Sequence, residues 1–442
     1  MSFINEHSHV GVKEELDLFT LPHTQTSVEF GQVISYYPVS NISDTGPIEF
    51  SVESSGDEYI DLRATRLAVR VKIVNQDGTD LAPNTKVGPT NLFMHSLFSQ
   101  VDVHLNERLV SSATQTYPYR AYIETLANYD IGAKQSQLTM ALFYKDTPGQ
   151  LNSVDPVTDP VANKGLAKRY ELTKESQSCD MISPLHADIF FQDRLLLNGV
   201  NLKVKLTRQK TDFALLSDEA APNFKIVVQE ASLKVRKVKV TPTIMYAHAE
   251  ALKKTTAKYP ITRCEIKTFS LPRGIQDDVR DRVFQSALPD RIVLAFVDSA
   301  AYNGNMKLNP FNLEHLNLNF LAVYLDGRQI PQKPLTPKFD SNGGSNYIQA
   351  YETLFSGTQK SQMDMGNDIA REDFPRGYAM YIFDLTPDLN DGSSFNLVRN
   401  GNLRIEARFA TPLDKTVNLL VYGQFSNVIE IDQARNIIYD FA

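Results

Sequence analysis

The sequence has 442 residues, which is longer than a single hydrophobic core usually reaches and therefore predicts two domains. Hydrophobic residues make up 42% and charged residues 22%, proportions that exclude an intrinsically disordered protein. The formal net charge of -7 excludes a surface that is basic throughout and binds nucleic acid everywhere. No apolar run approaches the roughly 18 residues of a membrane-spanning helix, which excludes a helical membrane protein.

Two further features indicate the compartment. The first residues carry many charged side chains, among them Lys13, Glu14 and Glu15, so they do not have the pattern of a secretion signal. Cys179 and Cys264 are the two cysteines of the chain, too few for an extracellular scaffold held by disulfides. We therefore expect a protein that is not secreted and that is made in the reducing interior of a cell.

The first predicted element is a short helix at 12–19, where Val12, Leu16 and Phe19 recur at helical spacing. Beyond it, apolar residues alternate with polar ones. This period places one face of a strand on a core and the other in solvent, as in antiparallel sheets. The runs that alternate most clearly are 67–73, 101–105, 202–206 and 403–409. They predict an all-β fold with a few short helices.

Other segments interrupt these strands. An apolar stripe predicts a helix at 119–128, and a second stripe predicts a helix at 244–252, in the middle of the chain. The stretch 135–174 is rich in Pro, Asp and Asn and predicts a surface insertion. Asp326-Gly327 lies between two alternating runs and predicts a hairpin, because a type I′ turn needs positive φ twice.

The sequence also repeats itself. Three features of the first half recur in the same order in the second half. They are an alternating strand followed by a turn, an Arg and a return strand, then an Ala-Tyr segment, and then an Asn-Gly turn that leads into a strand. The paired segments are 101–110 with 321–330, 121–126 with 350–354, and 198–206 with 400–407. Repeated order of this kind indicates a duplicated β domain.

The repeat and the helix at mid-chain together predict the domain organisation. We expect an amino-terminal arm at 1–24, a first β domain at 25–242, a connector at 243–257 and a second β domain at 258–442. The first domain would carry its extra residues within 135–174. Sandwiches, jelly rolls and barrels all remain open for β domains of this size.

The sequence lacks the usual catalytic motifs. It contains no phosphate-binding glycine loop, no His-Glu-x-x-His zinc motif and no Gly-x-Ser-x-Gly nucleophile turn. The histidines are scattered and the two cysteines lie far apart, so no metal, cofactor or catalytic residue is predicted. The sequence therefore favours a protein that is not an enzyme.

Basic residues cluster at the end of the first predicted domain and in the connector. The cluster consists of Lys234, Arg236, Lys237, Lys239, Lys253 and Lys254. It fits a solvated strand face followed by a polar linker. It also fits a contact with an anionic partner such as packaged nucleic acid, which it would bind without sequence specificity.

Four long segments resemble the major capsid proteins of Polinton/Maverick elements and of the related adintoviruses. These segments are 15–27, 253–260, 401–410 and 417–440. The resemblance implies a double jelly roll, which is two tandem eight-stranded antiparallel β-sandwich domains. It also implies a homotrimer whose six rolls form a pseudo-hexameric capsomer in an icosahedral shell around a DNA genome, with no catalysis, no cofactor and no small-molecule substrate.

The resemblance further implies contacts with neighbouring capsomers, with a penton protein and with minor capsid proteins in the virion. We expect the apolar stripe Val12, Leu16 and Phe19 of the arm to dock on a neighbouring subunit or a minor protein. The alternative is a tandem jelly-roll protein that binds or hydrolyses glycans. The sequence has no Trp to stack on sugars and no catalytic set, which favours the capsid interpretation.

Overall fold

Two pairs of antiparallel sheets follow one another along the chain. The computed structural model describes residues 11–43, 45–54, 56–285, 287–339, 345–389 and 395–439. The strands of the first half are β1 (Val28–Tyr36), β2 (Ile48–Val52), β3 (Glu58–Asn75), β4 (Val87–Pro89), β5 (Phe98–Leu105), β6 (Arg108–Leu109), β7 (Cys179–Ser183), β8 (Leu202–Arg208), β9 (Leu215–Ser217) and β10 (Phe224–Val240). They form the sheets β1-β10-β3-β7 and β2-β8-β5-β6, and β4 pairs with β9.

The second half builds an equivalent pair of sheets. Its strands are β11 (Ala257–Leu271), β12 (Asp277–Arg280), β13 (Arg291–Asp298), β14 (Leu318–Leu325), β15 (Arg328–Leu335), β16 (Met380–Asp384), β17 (Leu403–Phe409), β18 (Val417–Ile431) and β19 (Ile437–Ile438). The sheets are β11-β18-β13-β16 and β12-β17-β14-β15, and β19 pairs with β18.

Both halves have the same strand order. When β4, β9 and β19 are set aside, eight strands remain in each half, and one sheet holds the first, eighth, third and sixth of them in that order. The other sheet holds the second, seventh, fourth and fifth. This is the order of a jelly roll, and it occurs twice. The predicted all-β double jelly roll is confirmed.

The repeated sequence segments lie at equivalent positions of the two rolls. The run 101–105 lies in β5 and the run 321–325 lies in β14, and each of these is the fourth strand of its roll. The Asn-Gly turns precede β8 and β17, which are the seventh strands. The hairpin at Asp326-Gly327 is also confirmed, since both residues have positive φ between β14 and β15.

The alternating strands bury the side chains that the pattern predicts. In β3 the residues Leu67, Val69 and Val71 are buried, while the intervening positions are half-buried. β13 is buried along almost its whole length, from Ile292 to Val297, because both of its faces pack against other parts of the protein. Most of the buried apolar residues of the two rolls form one continuous core, and Val154, Leu166 and Leu216 form a small separate cluster.

Eight α-helices are described outside the masked stretches. They are α1 (Phe93–Ser96), α2 (Tyr117–Asn128), α3 (Ile131–Gln135), α4 (Lys164–Glu171), α5 (Thr211–Ala214), α6 (Pro242–Leu252), α7 (Ser299–Asn303) and α8 (Ile348–Ser356), together with 3₁₀ turns at Glu14–Leu16, Gln137–Ala141, Lys174–Ser176 and Asp188–Phe191. The helix expected at 119–128 is α2, which is buried along its length. The helix expected at 244–252 is α6, in the predicted connector.

Two local expectations need correction. The stretch 12–19 contains only the 3₁₀ turn Glu14–Leu16, because the segment has no apolar surface to pack on and a lone helix of this length is unstable. The stretch 135–174 is not a bare surface loop. It contains α4, and its Arg169 and Asp146 side chains are fully buried as an ion pair at 2.8 Å. Its longest exposed run is 158–161.

Candidate functional site

The amino-terminal arm is the most exposed apolar segment that the structure describes. Val12, Leu16 and Phe19 are 76%, 66% and 94% exposed, and Leu18 and Leu21 are similarly open. The 3₁₀ turn is held by local backbone hydrogen bonds. Residues 1–10 of the predicted arm lie outside the described residues. The arm therefore offers apolar side chains that its own rolls do not cover.

The predicted basic cluster is divided among several ion pairs. Arg236 contacts Asp61 at 3.0 Å, and the buried Lys237 contacts Glu58 at 3.2 Å. Lys239 contacts Glu29 and Asp57 at 3.5 and 3.4 Å, and Lys253 contacts Glu250 at 2.6 Å. Most of this charge is thus balanced within the chain. Lys234 and Lys254 have no ion pair among the described residues.

Sequence reasoning missed two further exposed apolar surfaces. The first is on β1, the edge strand of its sheet, where Phe30 and Val33 are 57% and 64% exposed. The second lies in the loop between β16 and β17, where Leu397 and Val398 are 88% and 75% exposed. The sequence of β1 carries apolar residues on both faces of the strand, and this pattern could have indicated a second apolar surface. Edge strands with exposed apolar side chains are surfaces on which other chains pair or pack.

A buried polar network joins the two rolls. Arg120 of α2 contacts Glu124 at 2.9 Å and Asp188 at 2.7 Å. Tyr422 of β18 donates its hydroxyl to Glu124 at 3.0 Å, so a side chain of the second roll completes a site on the first. The backbone N–H of Cys264 on β11 donates to Asp188 at 3.2 Å.

The charges in this network are fixed by their neighbours. Burial alone would raise the pKa of Glu124, but the Arg120 charge and a hydrogen bond with His186 outweigh it and hold that pKa at about 2. Burial raises the pKa of the Cys264 thiol, which makes it an unreactive apolar group. The network is therefore suited to holding the rolls in one arrangement and not to proton transfer or nucleophilic attack.

Aromatic stacking adds a second contact between the rolls. Tyr122 of α2 stacks on Phe311 with ring centres 4.3 Å apart, and Tyr119 stacks on Tyr302 at 5.3 Å. Both partners lie in the long connection between β13 and β14 of the second roll. Helix α2 therefore takes part in both the ionic and the aromatic contact between the rolls.

The described residues also show whether side chains cluster as metal ligands and whether any helix could span a membrane. Within the described ranges, no group of three or more His, Cys, Asp or Glu side chains is placed to hold a metal ion. In the same part of the chain, no helix has the length and apolar character needed to cross a membrane.

The chain has sequence similarity to a nematode protein. No protein-family model matches the chain. The uncharacterized protein F54H12.2 of Caenorhabditis elegans is 27% identical to it over 436 residues, which cover 95% of this chain and 99% of that protein. The similarity extends over both rolls of this chain.

Solved structures with a similar fold come from viruses. A chain of the Sputnik virophage structure has a TM-score of 0.66 at 12% identity, over 100% of this chain and 95% of that one. The mavirus major capsid protein has a TM-score of 0.54 at 14% identity, over 100% and 97% of the two chains. The Faustovirus major capsid protein has a TM-score of 0.56 at 12% identity, over 94% and 93%.

The fold is that of viral major capsid proteins. The match covers both rolls in each case, including the connection between them. At 12 to 14% identity, this likeness shows a shared fold and does not assign a role to the exposed surfaces of the chain.

Proposed function

We propose that the protein is a major capsid protein, a structural subunit of an icosahedral virion shell that encloses a DNA genome. The observation that carries this proposal is the duplicated jelly roll, matched along the whole chain by viral capsid proteins. The buried network between the rolls supports it, because a shell subunit has to hold both rolls in one fixed orientation. The proposed role requires no catalysis and no cofactor.

The subunit is proposed to form a homotrimer. Three copies around a threefold axis place six similar rolls in a ring, although the two rolls of one chain differ in sequence. Each contact then joins two unlike flanks of neighbouring subunits, and the three contacts form a closed ring. The exposed apolar residues on β1 and in the loop between β16 and β17 are of the kind that such a contact buries.

The partners proposed for the trimer are neighbouring capsomers, a penton protein and minor capsid proteins, as the resemblance implies. A neighbouring subunit or a minor capsid protein is proposed to cover the arm at 1–24, whose Val12, Leu16 and Phe19 are open to solvent. A nonspecific contact with packaged DNA is proposed for the basic cluster. Lys234 and Lys254 are the members with charge left to contribute, because the others are ion-paired.

The proposed origin is a Polinton/Maverick element or an adintovirus. The support is the resemblance of four long segments to those capsid proteins. Made inside the host cell, the protein would then reside in the virion shell.

Light scattering on a size-exclusion peak tests the oligomer. A trimer of the 49.7 kDa chain has a mass of about 149 kDa. Electron microscopy of the same peak should show particles with threefold symmetry, and shells under assembly conditions. A monodisperse monomer at micromolar concentration and neutral pH, with no particles in the micrographs, would contradict the proposal.

A further inference from the structure

A cavity of about 480 Å³ lies among four lysines, away from the surfaces described above. The lysines are Lys134 of α3, Lys145, and Lys164 and Lys168 of α4. Lys164 and Lys168 are one helical turn apart and so lie on the same face of α4. Asp368, from the second roll, is the one acidic side chain among the described residues that line the cavity.

Lys134 forms the buried part of this cavity. The residue is only 3% exposed. Its ammonium group donates to the backbone carbonyls of Leu126, at 3.2 Å, and Asn367. An ammonium has three donors, so one is left over. Within the described part of the chain no carboxylate lies within ion-pair distance of it, and burial lowers its pKa to about 7.

The other lysines differ in what they contact. Lys145 contacts Asp373 at 2.8 Å and Asp368 at 3.6 Å, so the charge of the one lining carboxylate is already engaged. Lys164 and Lys168 are exposed at the rim and have no ion pair among the described residues. Three of the four lysines thus have no ion pair among the described residues, and the most deeply buried of them, Lys134, has one donor that its hydrogen bonds to Leu126 and Asn367 do not use.

We propose that this cavity binds a small polyanion that carries phosphate or sulfate groups. Lys134 would contact an anionic group inside the cavity, and Lys164 and Lys168 would contact further groups at the rim. Several anionic groups are expected because the cationic groups line both the interior and the rim of a cavity of about 480 Å³. The proposal does not depend on the capsid role, because the cavity is complete within one chain.

Calorimetric titration of the full chain tests the site. Two probes, tripolyphosphate and sucrose octasulfate, distinguish phosphate from sulfate as the preferred group. The double variant Lys164→Ala/Lys168→Ala should weaken binding about tenfold, since charge-assisted hydrogen bonds are lost. The matched control is Lys210→Ala/Lys307→Ala, which removes the same charge from two exposed lysines outside the cavity and should leave the affinity within about twofold of the parent.

A second variant examines the interior of the cavity. Lys134→Met keeps a long side chain but removes the charge, and it should abolish binding while the melting temperature stays near that of the parent. If this variant does not fold, the rim variant decides. Absence of saturable binding of both probes to the parent overturns the proposal. Equal weakening in the rim variant and its control also overturns it, because that result indicates attraction by the overall charge.

Discussion

The buried carboxylate of Glu124 contacts polar groups of both rolls. This carboxylate accepts from Arg120 on the same helix and from Tyr422 on the second roll, and it contacts His186 at 2.5 Å. All these groups are buried. A buried charge whose partner is removed keeps its desolvation cost without the compensating attraction.

The first prediction concerns this carboxylate. Glu124→Gln should lower the free energy of unfolding by about 3 kcal/mol, because Arg120 and His186 lose their charged partner in a buried site. Urea unfolding followed by circular dichroism measures the change. The control is Glu250→Gln, which removes an exposed pair with Lys253 and should cost less than about 1 kcal/mol. Equal effects of the two substitutions would show that the network does not hold the rolls together.

The second prediction concerns pH and His315. Burial lowers the pKa of His315 to about 4, and its ring stacks on Phe339 with centres 4.1 Å apart. Below about pH 6.5 the unfolded chain binds a proton that the folded chain does not, so the contribution of this residue to stability falls as the pH drops from 6.5 to 4.

Melting temperatures measured across this pH range provide the check. In His315→Gln the decrease between pH 6.5 and pH 4 should be smaller than in the parent, because one such histidine has been removed. Buried His95, whose pKa burial also lowers well below 6.5, remains and should leave part of the decrease. An unchanged slope in the variant would contradict the assignment.

At the scale of single residues, sequence reasoning reached only part of the site. The stripe of α2 correctly indicated that Tyr122 and Leu126 face a core, because helical spacing reports which residues share a face. It did not indicate that Glu124 is buried, since its partner Tyr422 is 298 positions away. Lys134 was missed for the same reason, because Asn367 reaches it from the other roll.

At the scale of elements, the period-two runs were the most reliable signal. The runs at 101–105, 202–206 and 403–409 all lie in strands, because a strand with one buried face needs that alternation. The stretch 135–174 was misjudged because Pro, Asp and Asn mark turns but do not report what packs between the turns. In this stretch the buried pair of Arg169 and Asp146 fixes the fold.

The third prediction concerns the arm. Deleting residues 1–24 should leave the melting temperature within about 2 °C, because side chains this exposed contribute little to stability. Assembly into shells, observed by electron microscopy, should be impaired, because the apolar contacts of the arm with neighbours are lost. A milder variant, Leu16→Ser/Phe19→Ser, should impair assembly in the same direction. Loss of the folded subunit after deletion would contradict the prediction.

At the scale of the whole molecule, the duplication was evident from three echoes in the sequence, and the structure places them at equivalent positions of two rolls. Strand order within each roll did not follow from the pattern, because alternation reports a buried face and not the neighbouring strand. The exposed apolar residues of β1 and of the loop between β16 and β17 were also missed. An exposed apolar residue such as Val33 looks, in the sequence, like any core residue of a strand.

The fourth prediction tests the proposed trimer contact on β1. Phe30→Asp/Val33→Asp should shift the size-exclusion peak from trimer to monomer, because charged side chains cannot be buried there without partners. The circular dichroism spectrum should stay unchanged, since both residues are exposed. The control is Val161→Asp, at a position 70% exposed in a loop of the first roll, which should remain trimeric. A double variant that is still trimeric would place the contact elsewhere.

The strand order within the rolls has a consequence for synthesis on the ribosome. β10 lies between β1 and β3, and β18 lies between β11 and β13, so the last of the eight strands in each roll completes the middle of a sheet. The first roll cannot close until residue 240 has left the ribosomal tunnel. At usual rates of translation the second roll follows about 10 to 40 s later. During that interval the nascent chain carries one closed roll beside unpaired strands, and chaperones have the opportunity to bind it.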